Sequence, residues 1–154
     1  MIRVVEGTTD GRGLHVGIAA ARWNQSITDR LVDGAVERCK AIGVEEVTVV
    51  MVAGALELPL AARELAAFGC HAVVAIGTVV KGETDHYEIV VRESARGVSR
   101  VALETGVPVA NAILAVHNYS QAVDRAGEGE DNKGVEGVNA AVVTANALRE
   151  LRGT

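Results

Sequence analysis

Aromatic residues and cysteines are scarce in this sequence. Only 3% of its 154 residues are aromatic, and Trp23 is the single tryptophan. A lone large aromatic outside the apolar patterns of helices and strands is therefore a residue to follow. The two cysteines, Cys39 and Cys70, stand in apolar segments. This setting favours buried free thiols in a reducing compartment over a disulfide framework.

An excess of basic residues and a long apolar run are also missing. The net charge of −5 argues against a nucleic-acid-binding protein, which needs a basic face. The longest apolar stretch, residues 72–80, falls far short of the ~20 residues that a membrane helix requires. The first 13 residues contain no apolar run long enough for a signal peptide. We therefore expect a soluble cytoplasmic protein, folded as one domain over residues 1–154.

Four short β-branched runs alternate with longer segments of helical periodicity. We predict strands at residues 14–21, 46–53, 72–80 and 107–116. Apolar residues between and after them recur at the three- and four-residue spacing of helices. This order predicts an α/β fold in which a four-stranded parallel sheet carries helices on both faces. Residues 2–5 read as a further short strand, and either the sheet edge or another subunit must supply its partner.

Each predicted strand is followed by a distinct polar segment. Ligands of open parallel sheets bind at the carboxyl ends of the strands, so these segments are predicted to share one rim. Trp23, after the first strand, offers a flat stacking face and one N–H donor, although packing on a neighbour explains its position equally well. Glu57, after the second, either favours the dipole of the following helix or bonds ligand hydroxyls.

The segment "KGETDH" after the third strand is the richest. Gly82 permits close approach of a ligand to the backbone. Thr84 is the predicted N-cap of the next helix, whose free N–H groups would form an anion site. His86 would lie in the first turn, where the helix dipole disfavours a charged imidazole, while Asp85 acts in the opposite direction. Proton transfer by His86 is one interpretation, and a solvated or structural histidine is the other.

Signatures of metal and nucleotide sites are absent. The remaining histidines show no metal-ligand spacing with each other or with the cysteines, and neither GxGxxG nor GxxxxGK[ST] occurs. Arg125 and Lys133 flank the last polar loop. Each is either a solvated charge or a partner for a phosphate or carbonyl oxygen.

Six segments, taken together, resemble the 6,7-dimethyl-8-ribityllumazine synthase family. They are "ARWN", "VAGALELP", "IGTVVKGETDHYE", "VPVANAIL", "AVDRAG" and "NKG", in the family's order and spacing over nearly the whole chain. The resemblance implies a flavodoxin-like three-layer fold, pentamers with active sites between adjacent subunits, and an N-terminal strand that joins a neighbour's sheet. Some members build decamers or icosahedral shells, and because some shells enclose riboflavin synthase, that enzyme is a candidate partner.

The reaction implied by the resemblance is the penultimate step of riboflavin biosynthesis. It condenses 5-amino-6-(D-ribitylamino)uracil with 3,4-dihydroxy-2-butanone 4-phosphate, releases phosphate and water, and needs no cofactor or metal. The amine attacks a ketone, water is lost, phosphate leaves and a ring closes. Each step moves a proton, so one histidine can act repeatedly.

Carried over residue by residue, Trp23 would stack on the pyrimidine ring and Asn24 would support its loop. Gly54, Ala55 and Glu57 would hold the ribityl chain and the ring through backbone groups and the carboxylate.

The third strand and its loop supply the rest of the pocket. Val79 and Val80 would line it around the ring. Gly82, Glu83 and Thr84 would bind the phosphate.

His86 matches the family's proton-transfer histidine. Arg125 would reach the phosphate from the adjacent subunit, and Lys133 would contact the pyrimidine. Asn111 stands where an aromatic often lies near the heterocycle, so stacking is expected to depend mainly on Trp23.

Two further positions depart from common family patterns, Asp85 for a proline and Leu56 for a larger or aromatic residue. Two rival functions remain at this point, a binder of flavin or lumazine without catalysis and a flavodoxin-like module used for assembly. The joint presence of His86, Arg125 and Lys133 argues against the first of these.

Overall fold

The computed structural model describes residues 1–154, and strands and helices alternate along them. The strands are β1 (His15–Ala21), β2 (Glu46–Val52), β3 (Ala72–Val80) and β4 (Val109–Val116). The helices are α1 (Gln25–Ala41), α2 (Leu58–Phe68), α3 (His86–Thr105), α4 (Tyr119–Asp124) and α5 (Lys133–Arg152). Short 3-10 turns lie at Ala55–Glu57 and Gly129–Asp131. All four predicted strands are confirmed, with boundaries shifted by at most two residues.

The four strands form one parallel sheet in the order β2-β1-β3-β4. β3 is buried over its first seven residues because it is apolar on both faces and lies between two neighbours. The chain leaves β1 toward one sheet edge and β3 toward the other, so the strand order reverses between them. Such a reversal opens a crevice at the carboxyl ends of the two central strands.

Helices cover both faces of the sheet, which gives the predicted three-layer, flavodoxin-like architecture. On one face α1 and α5 pack against the sheet through a cluster that includes Ile27, Leu31 and Val142. On the other face α2 and α3 contribute a second cluster, with Leu58 and Val98. No helix combines the length and apolar character that crossing a membrane requires.

Both cysteines are buried and unpaired, as predicted. Cys39 belongs to the α1 side of the core and Cys70 to the α2 side. Burial raises the pKa of each thiol from 9.0 to about 11, and the carboxylate of Glu46 adds to the shift at Cys70.

The predicted cap of α3 is wrong by one residue. The N-cap is Asp85, whose backbone is helical (φ −71°, ψ −3°) and whose side chain makes no capping bond. Its carbonyl accepts the hydrogen bonds of the Glu88 and Ile89 N–H groups, at 3.1 and 3.5 Å. Thr84 therefore lies outside the helix, and His86 is its first residue.

The N-terminal segment forms no strand within the single chain. It runs beside α5, where the Asn146 side-chain amide donates to the carbonyls of Thr8 and Asp10 at 2.9 and 2.8 Å. Ile2 and Val4 are 91% and 78% exposed. A strand needs a hydrogen-bonding partner, and no strand of the same chain pairs with residues 2–5. Their pairing with another subunit stays a prediction.

Candidate active site

A cavity of about 440 Å³ opens at the carboxyl ends of β1 and β3. Most of the residues singled out from the sequence line it: Trp23, Asn24, Gly54, Ala55, Glu57, Val79, Val80, Gly82, Thr84 and His86. The topology therefore brings three of the four polar segments to one place, as expected from the ends of parallel strands. The fourth segment, which follows β4, was predicted to join them but supplies no residue to this cavity.

The turn after β1 presents Trp23 at the rim of this cavity. Asn24 has a left-handed backbone (φ 59°, ψ 47°) and is the only non-glycine residue with a positive φ. Its side-chain amide donates to the Thr78 carbonyl at 2.8 Å, while the Trp23 N–H donates to the Ala53 carbonyl at 3.3 Å. These bonds fix the turn, yet Trp23 stays 74% exposed, so its indole face is free to stack on a ligand.

The segment after β2 brings a carboxylate to the same rim. Gly54 is fully extended (φ −148°, ψ −179°), and its carbonyl accepts from the Glu57 N–H at 3.2 Å. A Cβ on Gly54 would lie 3.9 Å from the Glu57 carboxylate, so this open backbone and this anionic group face the same space. The Glu57 side chain is exposed and forms no ion pair, which leaves it available to ligand hydroxyls.

The loop after β3 provides unused backbone donors. The N–H groups of Gly82, Glu83 and Thr84 donate to no other group of the chain. Around Gly82 the position of a Cβ meets no atom within 4 Å, so a ligand can approach the backbone there. His86 follows with an exposed imidazole at the first position of α3. Free N–H groups before a helix N-terminus are suited to an anion, and an imidazole, a group that can exchange protons, follows them in the chain.

Arg125 and Lys133 lie together on a different surface. They border a concave region of about 680 Å³ between the end of β4 and the start of α5, which shares no lining residue with the first cavity. The Lys133 N–H donates to the Arg125 carbonyl at 2.8 Å. The Lys133 ammonium pairs with the Glu136 carboxylate at 2.9 Å, and the Arg125 guanidinium donates to the Gln121 carbonyl at 3.0 Å. One chain therefore does not bring these cations to His86.

Two predicted residues border neither surface. Glu83 is exposed, and it contributes to the loop after β3 an unused backbone N–H. Asn111 is exposed on edge strand β4, where its side-chain oxygen accepts from the Ile113 N–H at 2.9 Å.

Sequence reasoning missed several residues at these surfaces, among them Tyr87 and Asn132. Tyr87 lines the first cavity and makes an edge contact with the His117 ring, with 6.5 Å between centroids. Its place directly after His86 was the available signal. Asn132 caps α5, accepting from the N–H groups of Gly134 and Val135 at 2.8 and 3.2 Å. An asparagine just before a helical pattern is the usual signal for such a cap.

The architecture groups no three or more His, Cys, Asp or Glu side chains in the way a metal ion would need. The groups gathered in the first cavity are instead an aromatic face, a carboxylate, free backbone donors and an imidazole. Such a set can hold a polar heterocycle and an anionic group close to one residue that exchanges protons.

Comparison with known proteins agrees with this arrangement. Residues 13–149 match the family model described as 6,7-dimethyl-8-ribityllumazine synthase. A protein of that name from Thermococcus kodakarensis is 43% identical over 152 residues, which cover 98% of this chain and 97% of the relative. A protein of the same name from Kineococcus radiotolerans is 46% identical over 91% of this chain and 88% of its own length. A third, from Nitratidesulfovibrio vulgaris, is 38% identical over 97% and 98%.

Proposed function

Because this chain belongs to the 6,7-dimethyl-8-ribityllumazine synthase family, we propose that its active site is completed only where two copies of the chain meet. The protein is a transferase of riboflavin biosynthesis. It condenses 5-amino-6-(D-ribitylamino)uracil with 3,4-dihydroxy-2-butanone 4-phosphate and releases phosphate and water. The proposal concerns which residues do this and how they are brought together.

One observation carries the proposal, namely that the candidate residues form two separate surfaces on one chain. The cavity with His86 lacks a cation, and the surface with Arg125 and Lys133 lacks an aromatic face and a histidine. A dianionic phosphate and a proton-transfer group must meet in one site for this reaction. Pairing the cavity of one copy with the cationic surface of the next satisfies that requirement in a closed ring.

The heterocycle would enter the first cavity. Trp23 stacks on the pyrimidine ring, and Asn24 supports Trp23 through its bond to β3. Gly54, Ala55 and Glu57 hold the ribityl chain, with the carboxylate accepting hydrogen bonds from its hydroxyls.

The remaining wall and the phosphate site come from β3 and its loop. Val79 and Val80, both half-buried, form an apolar wall beside the ring. The free N–H groups of Gly82, Glu83 and Thr84 bind the phosphate of the second substrate. This places the leaving group next to the start of α3.

His86 is the proposed catalytic residue. As the first residue of α3 it lies beside the phosphate donors and in the same cavity as the ring-binding residues. It would pass the protons of the attacking amine to the departing water, and in the elimination step it would pass the proton removed from carbon to the departing phosphate. Holding both substrates side by side supplies much of the remaining acceleration.

The neighbouring copy would contribute the cations. Arg125 binds the phosphate, since its planar guanidinium forms paired hydrogen bonds with oxyanions, and Lys133 contacts the pyrimidine. Asn111 lies on the same strand as part of that surface, on β4. Because the Asn111 amide provides no ring, stacking falls mainly to Trp23.

We also propose a pentamer in which residues 2–5 of each copy extend a neighbour's sheet at β2. Two observations support pairing at the β2 edge. Ile2 and Val4 are exposed, and a groove of about 630 Å³ lies beside β2 and α2. At the opposite edge, the Asn111 side chain already accepts the hydrogen bond of the Ile113 N–H.

Residues 1–154 act as one domain, and the buried free thiols favour the cytoplasm. Riboflavin synthase, which consumes the product, is the proposed partner.

Mixed assemblies test the shared site. In rings formed from equal amounts of the two variants, a site is intact where an Arg125→Ala chain supplies the cavity with His86 and a His86→Ala chain supplies the cations. Random mixing gives this arrangement at about one site in four. We expect each variant alone to be nearly inactive in the absorbance assay for lumazine. Co-refolded mixtures should recover about a quarter of the wild-type rate, as this ratio predicts. Mixtures that stay as inactive as the parents would overturn the shared site, and native mass spectrometry of the same samples reports the ring size.

A further inference from the structure

Asn132 holds four hydrogen bonds at the start of α5. Its side-chain oxygen accepts from the N–H groups of Gly134 and Val135. Its amide nitrogen donates to the carbonyls of Arg30 and Gly127, at 3.1 and 3.0 Å. Both N–H donors and both lone pairs are therefore used, and the network fixes which atom is nitrogen, because a reversed amide would face donors with donors. The residue is 3% exposed.

These bonds close the loop that carries the two cations. Asn132 and Ala126 form an isolated antiparallel bridge, and the next pair is joined by the bond from the Lys133 N–H to the Arg125 carbonyl. Together with the bond to Gly127, they fix both ends of residues 125–133. The backbone positions from which the Arg125 and Lys133 side chains extend thus depend on one amide.

The same amide anchors the loop to α1. The Arg30 carbonyl belongs to the middle of that helix, 102 residues away in sequence. A Cβ on Gly34 would lie 2.6 Å from the Asn132 amide, so α1 can approach this closely only with glycine there. The loop is therefore held against α1, a helix whose other face is packed into the core through Ile27 and Leu31.

We propose that Asn132 is a positioning residue for the reaction, which sets Arg125 and Lys133 at the distance and angle that the substrates require. The inference rests on the proposed function of those two cations. The Asn132 side chain is not available to a substrate, since its amide nitrogen and oxygen each already make two hydrogen bonds. It acts on the reaction by fixing the backbone on both sides of the loop, and a cation displaced by about 1 Å can cost up to a hundredfold in rate.

The variant Asn132→Ser separates this role from the capping of α5. Serine is a good N-cap, so α5 keeps its first hydrogen bond while the two bonds to Arg30 and Gly127 are lost. We expect the KM for the butanone phosphate to rise about 10- to 100-fold. The inhibition constant of inorganic phosphate, the product anion, should rise in parallel. Asn132→Thr, which also caps a helix and lacks the amide donors, gives the same readout if the serine variant does not fold.

A matched control lies on the same two helices. Asn139 of α5 accepts a hydrogen bond from the Arg38 side chain of α1 at 2.7 Å, outside the loop of residues 125–133. Asn139→Ser removes one contact between α1 and α5, and both constants should stay within about twofold of wild type, as expected for a site without shared partners.

Combination with Arg125→Ala decides the mechanism. If Asn132 acts through Arg125, then the double variant should have the same inhibition constant for inorganic phosphate as Arg125→Ala alone. Two results would show a general structural role and overturn the inference. One is full additivity of the two substitutions in the phosphate inhibition constant, and the other is an equal change of both constants in Asn132→Ser and Asn139→Ser. An Arg125→Ala variant with unchanged phosphate inhibition would instead refute the proposed phosphate contact, and the inference with it, before Asn132 is altered.

Discussion

The side-chain amide of Asn24 donates a hydrogen bond to the backbone carbonyl of Thr78 at 2.8 Å. This bond joins the turn after β1 to the end of β3, across the crevice between the two central strands. It also orients the preceding residue, Trp23, at the cavity rim. Asn24 has a left-handed backbone conformation in this turn, and asparagine tolerates that conformation better than most residues.

Two substitutions at Asn24 separate these effects. Asn24→Gly keeps the left-handed backbone and loses the bond, so it should lower the free energy of unfolding by about 1 kcal/mol. Asn24→Ala adds the cost of a left-handed Cβ, roughly 1–2 kcal/mol more. Urea denaturation measures both, and both should raise the KM for the pyrimidine substrate. Equal stability of the two variants would contradict the role assigned to the backbone conformation.

His86→Ala should lower kcat about 10²- to 10⁴-fold, the usual contribution of a general acid–base group. The KM values of both substrates should change only a few-fold, because Trp23, Glu57 and the loop N–H groups remain. Steady-state kinetics by lumazine absorbance measures both quantities.

A control for His86 lies in the same helical turn. Glu88 is exposed and does not line the cavity, so Glu88→Ala should leave kcat near the wild-type value. If His86→Ala weakened substrate binding and left kcat unchanged, the residue would be a binding group and not a proton shuttle.

The sheet and the first cavity follow from the sequence for a physical reason. Parallel strands buried on both faces need continuous apolar runs, and these runs locate the polar segments that must meet at their carboxyl ends. The sequence alone therefore predicts that Trp23, Glu57 and His86 lie at one rim. The wrong cap of α3 has an equally simple cause, since Thr84 and Asp85 are both good N-caps and local preference does not separate adjacent candidates.

Other features could not be predicted because their partners carry no sequence signature. Asn132 bonds the carbonyl of Arg30, 102 residues away, and every residue type presents the same carbonyl. The distribution of His86 and Arg125 over two surfaces depends on how α4 and α5 fold back along β4. Pairing of residues 2–5 requires a strand from outside the chain, so neither local pattern nor a single subunit can establish it.

Stability should depend on two thiols at high pH. Burial raises the pKa values of Cys39 and Cys70 from 9.0 to about 11, so the folded state retains protons that the unfolded chain releases. The contribution of each thiol is complete below pH 9 and is lost as the pH rises toward 11. Urea midpoints from pH 8 to 11 should fall more steeply for the wild type than for Cys39→Ala/Cys70→Ala. Tyrosines and lysines titrate in both proteins, so a constant difference between them would refute the effect of the thiols.

Gly34→Ala should report on the contact between α1 and Asn132. Within a helix this change normally adds about 1 kcal/mol of stability. Here the new Cβ would lie 2.6 Å from an amide held by four hydrogen bonds, so it must displace Asn132. We expect lower stability and a higher KM for the butanone phosphate in the wild-type background. In the Asn132→Ser background the methyl group has room, and the same change should raise stability by about 0.5–1 kcal/mol. Urea denaturation of the four proteins measures this coupling, and strictly additive effects would mean that Gly34 and Asn132 do not interact.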